Sequence, residues 1–243
     1  MSPGKNESRL NKFLRIFALL VTVPFALVTI LGKGGGGDGT LVCSEPLPEG
    51  TMFLTTDPNF DAPGESAHFD LTGTAQGNGA SEAATGSVSI IRQDNQMLDA
   101  EEVTVTDIVV AFEVPSQSIM ESSGGTRYDG LDRTVRLVET IDSLTCTPTG
   151  PAHVPIPLSV EVGDSGVVGE MSCNDGSTRA ESYLVERSSR NCDWAAIHIF
   201  NTVSIPGESD ATAEIIYHVT EDGQTQEMNV TTSNGTFNLD LGT

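Results

Sequence analysis

Residues 212–219 read TAEIIYHV, and their side chains alternate in character along the chain. The odd-numbered positions from 213 to 219 are all apolar, and they alternate with Thr212, Glu214, Ile216 and His218, of which only Ile216 is apolar. A period of two is the pattern of a β-strand that turns one face to a core and the other to water. The stretch therefore predicts a half-buried strand.

The same period recurs along most of the chain after the N-terminal region. Alternating runs lie at Ile156–Val162, Val88–Ile90 and Val135–Leu137, and no segment in this part shows an apolar stripe with a helical period. Glycine-containing turn signals separate the runs, and they include Gly73, Gly124–Gly125, Asp175–Gly176 and Asp222–Gly223. Short strands with such turns predict an all-β fold made of antiparallel sheets.

A break in the strand pattern suggests two domains. Residues 147–151 read TPTGP, and two prolines and a glycine interrupt pairing there. We therefore predict two small antiparallel sandwich or barrel-like domains, residues 43–149 and 150–243. They follow an N-terminal apolar helix in residues 1–32 and a glycine-rich linker in residues 33–42.

The N-terminal region has the features of an export signal. Met1–Arg15 carries four basic residues against Glu7, and the uncharged run Ile16–Leu31 follows it. As a helix the run would be about 24 Å long, which is short for a membrane core about 30 Å thick. Residues 1–32 are therefore expected to act as a cleaved signal peptide or as an uncleaved signal anchor.

The end of this segment resembles a bacterial lipoprotein signal. The junction Thr29–Lys33 and the glycine run Gly34–Gly37 are similar to the signal and tether of exported, lipoprotein-like β-rich bacterial proteins, but Lys33 stands where the lipidated cysteine would be. The resemblance implies a periplasmic or secreted protein, or one anchored at the outer face of the inner membrane. Because Lys33 has no thiol to lipidate, the alternatives are cleavage after Gly32 and retention of the apolar segment.

All four cysteines lie after the signal, and an even number in an exported chain predicts two disulfides. Three pairings are possible. The break at residues 147–151 favours Cys43–Cys146 within the first half and Cys173–Cys192 within the second. The cysteine and histidine spacings do not match those of a zinc site.

Charge is distributed unevenly along the chain. Residues 33–243 contain seven arginines, 33 of the 34 carboxylates, and a single lysine, Lys33 at the very start. Such a surface repels phosphate, which excludes nucleic acid and leaves membrane contact only to an uncleaved N-terminal segment. Cations and basic proteins are the better partners, and the alternative is that the carboxylates serve solubility.

The segment Gly163-Asp164-Ser165-Gly166 resembles the sequence around the nucleophile of chymotrypsin-like serine proteases. By the order of the triad in that family, the resemblance implies Ser165 as nucleophile, His68 as base and Asp107 as the orienting acid. The residues that follow Gly166 depart from the family pattern. Because Gly, Asp and Ser also favour turns, a hairpin turn before the next strand is the main interpretation.

One acidic stretch offers oxygen ligands at alternate positions. Asp57, Asn59 and Asp61 are spaced as in the first half of a calcium loop, but Ala62 and His68 exclude an EF-hand. A looser calcium site is the only cofactor that the sequence suggests, and a proline-containing Asx turn is the alternative.

These patterns predict an exported envelope or secreted protein that is not an enzyme. We expect a binding or structural β-module whose partner is a protein or a cell-surface ligand. The alternatives are a serine hydrolase built on Ser165 and a calcium-dependent adhesion or assembly domain.

The first prediction concerns the mature N-terminus. We expect the mature chain to begin at Lys33, because an ordinary signal peptidase can cleave after Gly32 without a cysteine at the cleavage site. Intact-mass spectrometry of the protein from its native host checks this. A mass that retains Ile16–Leu31 would show that the segment stays as an anchor.

Overall fold

The computed structural model describes residues 43, 45–55, 63–77, 80–115, 119–140, 144–150, 154–207, 209–234 and 237–243. These ranges contain no α-helix, and so no helix long and apolar enough to cross a membrane. The signal and linker predicted for residues 1–42 lie outside the described residues. The strands are β1 (Phe53–Leu54), β2 (Ser66–Gly77), β3 (Ala80–Arg92), β4 (Gln96–Leu98), β5 (Glu101–Val114), β6 (Ile119–Gly130), β7 (Val135–Thr140), β8 (Thr145–Thr149), β9 (Ser159–Val160), β10 (Ser165–Cys173), β11 (Thr178–Arg187), β12 (Ala195–Ser204), β13 (Ala211–Val219), β14 (Thr225–Ser233) and β15 (Phe237–Gly242).

Twelve of these strands form one closed antiparallel barrel. From β2 to β15 each barrel strand pairs with the next one along the chain, apart from the small strands β4 and β9, and β15 then pairs with β2. The all-β prediction is confirmed. The prediction of two separate sandwich or barrel-like domains is wrong, because both halves of the chain contribute strands to the same ring.

Two of the glycines that were predicted to form turns lie inside long strands. Gly73 lies inside β2 and Gly124 inside β6, where a Cβ would come within 2.0 Å of the Asp240 carbonyl oxygen and 2.3 Å of the Ile108 carbonyl oxygen, respectively. These glycines therefore allow a neighbouring backbone to approach closely inside a long strand, and they do not form the predicted turns. The turn predicted at Asp222–Gly223 is present.

The inward face of the barrel is filled by apolar side chains. Ile108 of β5 and Ile197 of β12, on opposite sides of the ring, belong to one core cluster and are 0% exposed. Side chains with no exposed surface leave no water-sized space beside them, so this part of the barrel is packed like a protein core.

A short ribbon closes one end of the barrel. β1 pairs with β9, and this pairing places Phe53 opposite Val160, both fully buried in the core cluster. The backbone N–H of Leu54 donates to the carbonyl of Glu221 in the β13–β14 turn, 3.1 Å away. Of the predicted strand Ile156–Val162, only Ser159–Val160 forms a β-strand, and Pro157 and the preceding Pro155 lack the backbone N–H that strand pairing needs.

Both disulfides differ from the predicted pairing. Cys146 of β8 lies directly opposite Cys173 of β10 and is bonded to it, and Cys43 is bonded to Cys192 in the β11–β12 loop. The predicted bonds Cys43–Cys146 and Cys173–Cys192 are wrong because neither half of the chain forms a separate closed domain. The ring instead makes β8 and β10 neighbours, and the chain enters the barrel beside the β11–β12 loop.

Removing the bond across β8 and β10 should weaken the barrel. The loop between Cys146 and Cys173 spans 27 residues, so Cys146→Ala/Cys173→Ala should lower the free energy of unfolding by about 3.5 kcal/mol in the chain-entropy picture. Urea unfolding of both proteins under oxidising conditions measures the change. Non-reducing peptide mapping is the control, and a peptide that joins Cys43 to Cys146 would contradict the pairing.

Candidate functional site

The structure does not bring the residues of the predicted hydrolase site together. Ser165 is exposed at the start of β10, and five strands of the ring separate it from His68 on β2. Asp107 on β5 accepts hydrogen bonds from Gln93 and Thr126, at 2.7 and 2.6 Å. Gly163 has a positive φ of 104°, and the Asp164 carboxylate accepts from the Glu161 backbone at 2.8 Å, so the segment forms the turn that was its main interpretation.

His68 has other partners on the outer wall. Its Nδ1 lies 2.8 Å from Ser89 Oγ and its Nε2 lies 3.2 Å from Asp70 Oδ1. A serine protease uses the opposite ring nitrogens for these two contacts. The His68 side chain is 55% exposed on the open surface of a sheet, where a reacting group would meet bulk water.

The candidate calcium ligands Asp57, Asn59 and Asp61 lie outside the described residues. Within the ranges that are described, no group of three or more His, Cys, Asp or Glu side chains has an arrangement that can hold a metal ion.

A charged layer crosses the barrel interior. On β12 the inward side chains include Ile199, Asn201 and Val203, and the polar Asn201 separates two apolar clusters. Next to it, Arg179 Nη2 donates to Glu181 Oε2 and Arg179 Nε donates to Asn201 Oδ1, both at 2.9 Å.

A second ion pair belongs to the same layer. Arg127 Nε donates to both carboxylate oxygens of Asp129 at 2.8 Å, and Arg127 is close enough to act on the charge of Glu181. Burial raises the pKa of Glu181, and the positive charges of Arg179 and Arg127 oppose that rise. The layer holds two arginines and two carboxylates, so the charges balance without a ligand.

The most distinctive feature of the outer wall surrounds His198. Its Nδ1 lies 2.7 Å from Glu214 Oε1 and its Nε2 lies 3.5 Å from Glu186 Oε2, so two strands flank the imidazole with carboxylates. The Phe200 ring stacks beside it, with ring centroids 6.0 Å apart and planes at 17°.

Apolar side chains surround this imidazole on both sides. Leu184 of β11 and Ile216 of β13 lie directly opposite His198 in the two strand pairings. We define the His198 face by six outward residues: Leu184, Glu186, His198, Phe200, Glu214 and Ile216. The outward residues of β2, by contrast, are all polar, from Ser66 to Gln76.

The β11–β12 loop covers the wall beside the His198 face. Ser188 Oγ lies 2.8 Å from His218 Nδ1, and Arg190 Nε lies 3.2 Å from Glu227 Oε2. His218 points outward by the alternation of β13, yet the loop buries it. Burial lowers the pKa of His218 to about 4, and the nearby positive charge of Arg190 acts in the same direction.

The sequence did not single out the carboxylates of this face. The two carboxylates, Glu186 and Glu214, are 28 positions apart in the chain, and His198 lies between them. Only the register of three strands brings these side chains together. All three residues have even numbers, and the alternation within each strand therefore places their side chains on the outer wall. Alternation does not determine the register between neighbouring strands.

The titration of His218 should appear in the pH dependence of stability. The pKa of His218 is about 4 in the folded state and 6.5 in the unfolded state, so the neutral imidazole contributes its full stabilisation above pH 6.5. This contribution, about 3 kcal/mol, is lost as the pH falls from 6.5 to 4. Urea unfolding at pH 7.0 and 4.5 should show a smaller pH difference for His218→Gln than for the unchanged protein. The exposed His68→Gln is the matched control, and an equal effect of both variants would contradict the assignment.

Comparison of the chain with protein-family models, curated protein sequences and solved structures found no significant match. Function is therefore inferred from the His198 face and from the distribution of charge.

Proposed function

We propose that this protein is an exported, non-enzymatic binding module that uses the His198 face to hold a cationic group of a protein or cell-surface partner. Its export is inferred from the signal-like N-terminus, and the two disulfides are consistent with an oxidising compartment. The observation that carries the proposal is a pair of solvent-accessible carboxylates, Glu186 and Glu214, that flank His198 beside the ring of Phe200.

The arginines leave little positive charge on the surface. Arginines at six positions bond to protein carboxylates or carbonyls, and three of these six are buried. The bonded pairs are Arg92 with Gln93 and Val105, Arg127 with Asp129, Arg136 with Glu101, Arg179 with Glu181, Arg187 with Cys192, and Arg190 with Glu227. Carboxylates outnumber arginines on this chain by far, so the outer wall has a negative field that attracts cations and repels phosphate.

The His198 face adds local features to that general field. The side chains of Glu186 and Glu214 are 59% and 33% exposed, and each has oxygen atoms that can accept hydrogen bonds from a partner. Phe200 is 36% exposed, and its ring can bind a guanidinium or ammonium group through a cation–π contact. Arginine also forms bidentate bonds with carboxylates, so an arginine side chain fits this face best.

The barrel holds these groups in place. Each residue of the face lies on a strand that is paired on both sides, from β11 to β13. Side chains on such strands lose little further freedom on binding, which favours affinity.

A labelled hexa-arginine peptide tests the proposal. A labelled hexa-glutamate peptide of the same length and opposite charge is the control probe. Fluorescence anisotropy at low salt should show that Glu186→Gln/Glu214→Gln weakens hexa-arginine binding at least about tenfold, because two charge-assisted bonds are lost. The control Asp70→Asn/Asp240→Asn removes the same charge from the wall formed by β2 and β15. This control should change the affinity less than about threefold, since only the general field is reduced.

Equal weakening by the two double variants would show that the carboxylates act as a diffuse, solubilising layer. Fluorophosphonate labelling that disappears in Ser165→Ala or Ser89→Ala would replace the proposal with a hydrolase. A saturable rise of the melting temperature with calcium would favour the adhesion or assembly alternative.

A further inference from the structure

The hydrogen atoms of the His198 ring determine which of its two carboxylate neighbours is paired. Nδ1 lies 2.7 Å from Glu214 Oε1, and Nε2 lies 3.5 Å from Glu186 Oε2. An ionised carboxylate only accepts hydrogen bonds, and a neutral imidazole carries one N–H. The short contact therefore assigns that hydrogen to Nδ1, and in the neutral ring Nε2 turns a lone pair towards Glu186.

A second proton on the ring changes the contact with Glu186. It turns Nε2 into a donor, and the positively charged ring then lies between two negative groups. The side chain of His198 is only 14% exposed, whereas both carboxylates are more exposed than the ring. The wall therefore holds the imidazole between two groups that a partner can reach from solvent.

The residues next to this ring in the three strands are mostly apolar. Leu184 of β11 and Ile216 of β13 are directly opposite it. Ala196 and Phe200 are its outward neighbours on β12. On the elements packed against the ring, the carboxylates of Glu186 and Glu214 are therefore the negative groups that face it.

The remaining titratable neighbour is His218, the next outward residue of β13 after Ile216. Burial under the β11–β12 loop lowers the pKa of His218 to about 4, so this ring stays neutral in mild acid. The positive charge of Arg190 in the same loop is paired with Glu227, with Nε 3.2 Å from Oε2. A change of charge between pH 8 and 5.5 at this place therefore belongs to His198.

We infer that a proton on His198 and a cationic partner compete for the same two carboxylates, so that the His198 face binds its partner at neutral pH and releases it in mild acid. The inference rests on the proposed function. The imidazolium ring supplies to Glu186 the charge and hydrogen bond that a guanidinium group would supply, and it repels that group. Histidine is also the side chain whose ordinary change of charge falls between pH 5 and 8.

The pH dependence of peptide binding tests the inference. Fluorescence anisotropy at constant low salt gives the Kd of labelled hexa-arginine at pH 8.0 and 5.5, and the ratio of the two values is the readout for each protein. In the unchanged protein Kd should be at least about fivefold higher at pH 5.5, since repulsion between two unit charges about 4 Å apart in water corresponds to that factor. In His198→Gln the ratio should be below about two, because glutamine gains no proton.

The matched control is His68→Gln, which removes an exposed histidine that also lies beside a carboxylate, on β2. Its ratio should equal that of the unchanged protein. The same ratio in His198→Gln would overturn the inference, because the loss of affinity would then come from the general field or from protonation of the glutamates. A ratio near one in the unchanged protein would overturn it as well.

The measurements at pH 8.0 separate this inference from the proposed function. If Glu186→Gln/Glu214→Gln binds hexa-arginine no more weakly than Asp70→Asn/Asp240→Asn, the proposed function fails and the inference fails with it. If the first variant does bind more weakly, but His198→Gln keeps the pH ratio of the unchanged protein, only the inference is overturned.

Linkage gives a second readout that needs no variant. If proton and partner compete, bound hexa-arginine must disfavour protonation of His198 by the same factor by which the proton weakens binding. A fivefold effect moves the NMR titration curve of the His198 ring to lower pH by about 0.7 unit. The His68 ring is the internal control, and its curve should move by less than about 0.2 unit. A His198 curve that stays in place or moves to higher pH would overturn the inference.

Discussion

The antiparallel pairing of β15 with β2 is the contact on which the rest of the structure depends. Every other neighbour in the ring follows along the chain, so only this pairing joins the two ends of the sheet. Closure gives both end strands a partner and removes the exposed edges that an open sheet would have. Gly73 lies at this seam, where a Cβ would meet the Asp240 carbonyl, so the seam depends on a residue without a side chain.

Closure also divides the charged residues between two environments. Arg127 and Arg179 point inward, and each needs a buried carboxylate because an unpaired charge inside the barrel would be strongly destabilising. Desolvation offsets much of the attraction within such pairs, so the layer contributes little net stability. The outward carboxylates have no such requirement. They remain in contact with water on the outer wall.

Local patterns in the sequence predicted local structure well. The alternation at residues 212–219 lies within β13, and the turns at Asp175–Gly176 and Asp222–Gly223 are present. Gly73 and Gly124 were misinterpreted as turns because a glycine that permits close backbone approach has the same local pattern as one in a turn. The candidate site was largely missed, since Glu186 and Glu214 gain their significance only beside His198.

The sequence by itself determined the all-β class, several strands and turns, and the excess of carboxylates, because each depends on the residue types within a few positions or on composition alone. Only the tertiary structure decided that the two halves form one barrel and that Cys146 pairs with Cys173. It also decided that His198 lies between two carboxylates. These features depend on the register and order of strands that are distant in the chain, and alternation within a single strand carries no information about its neighbour.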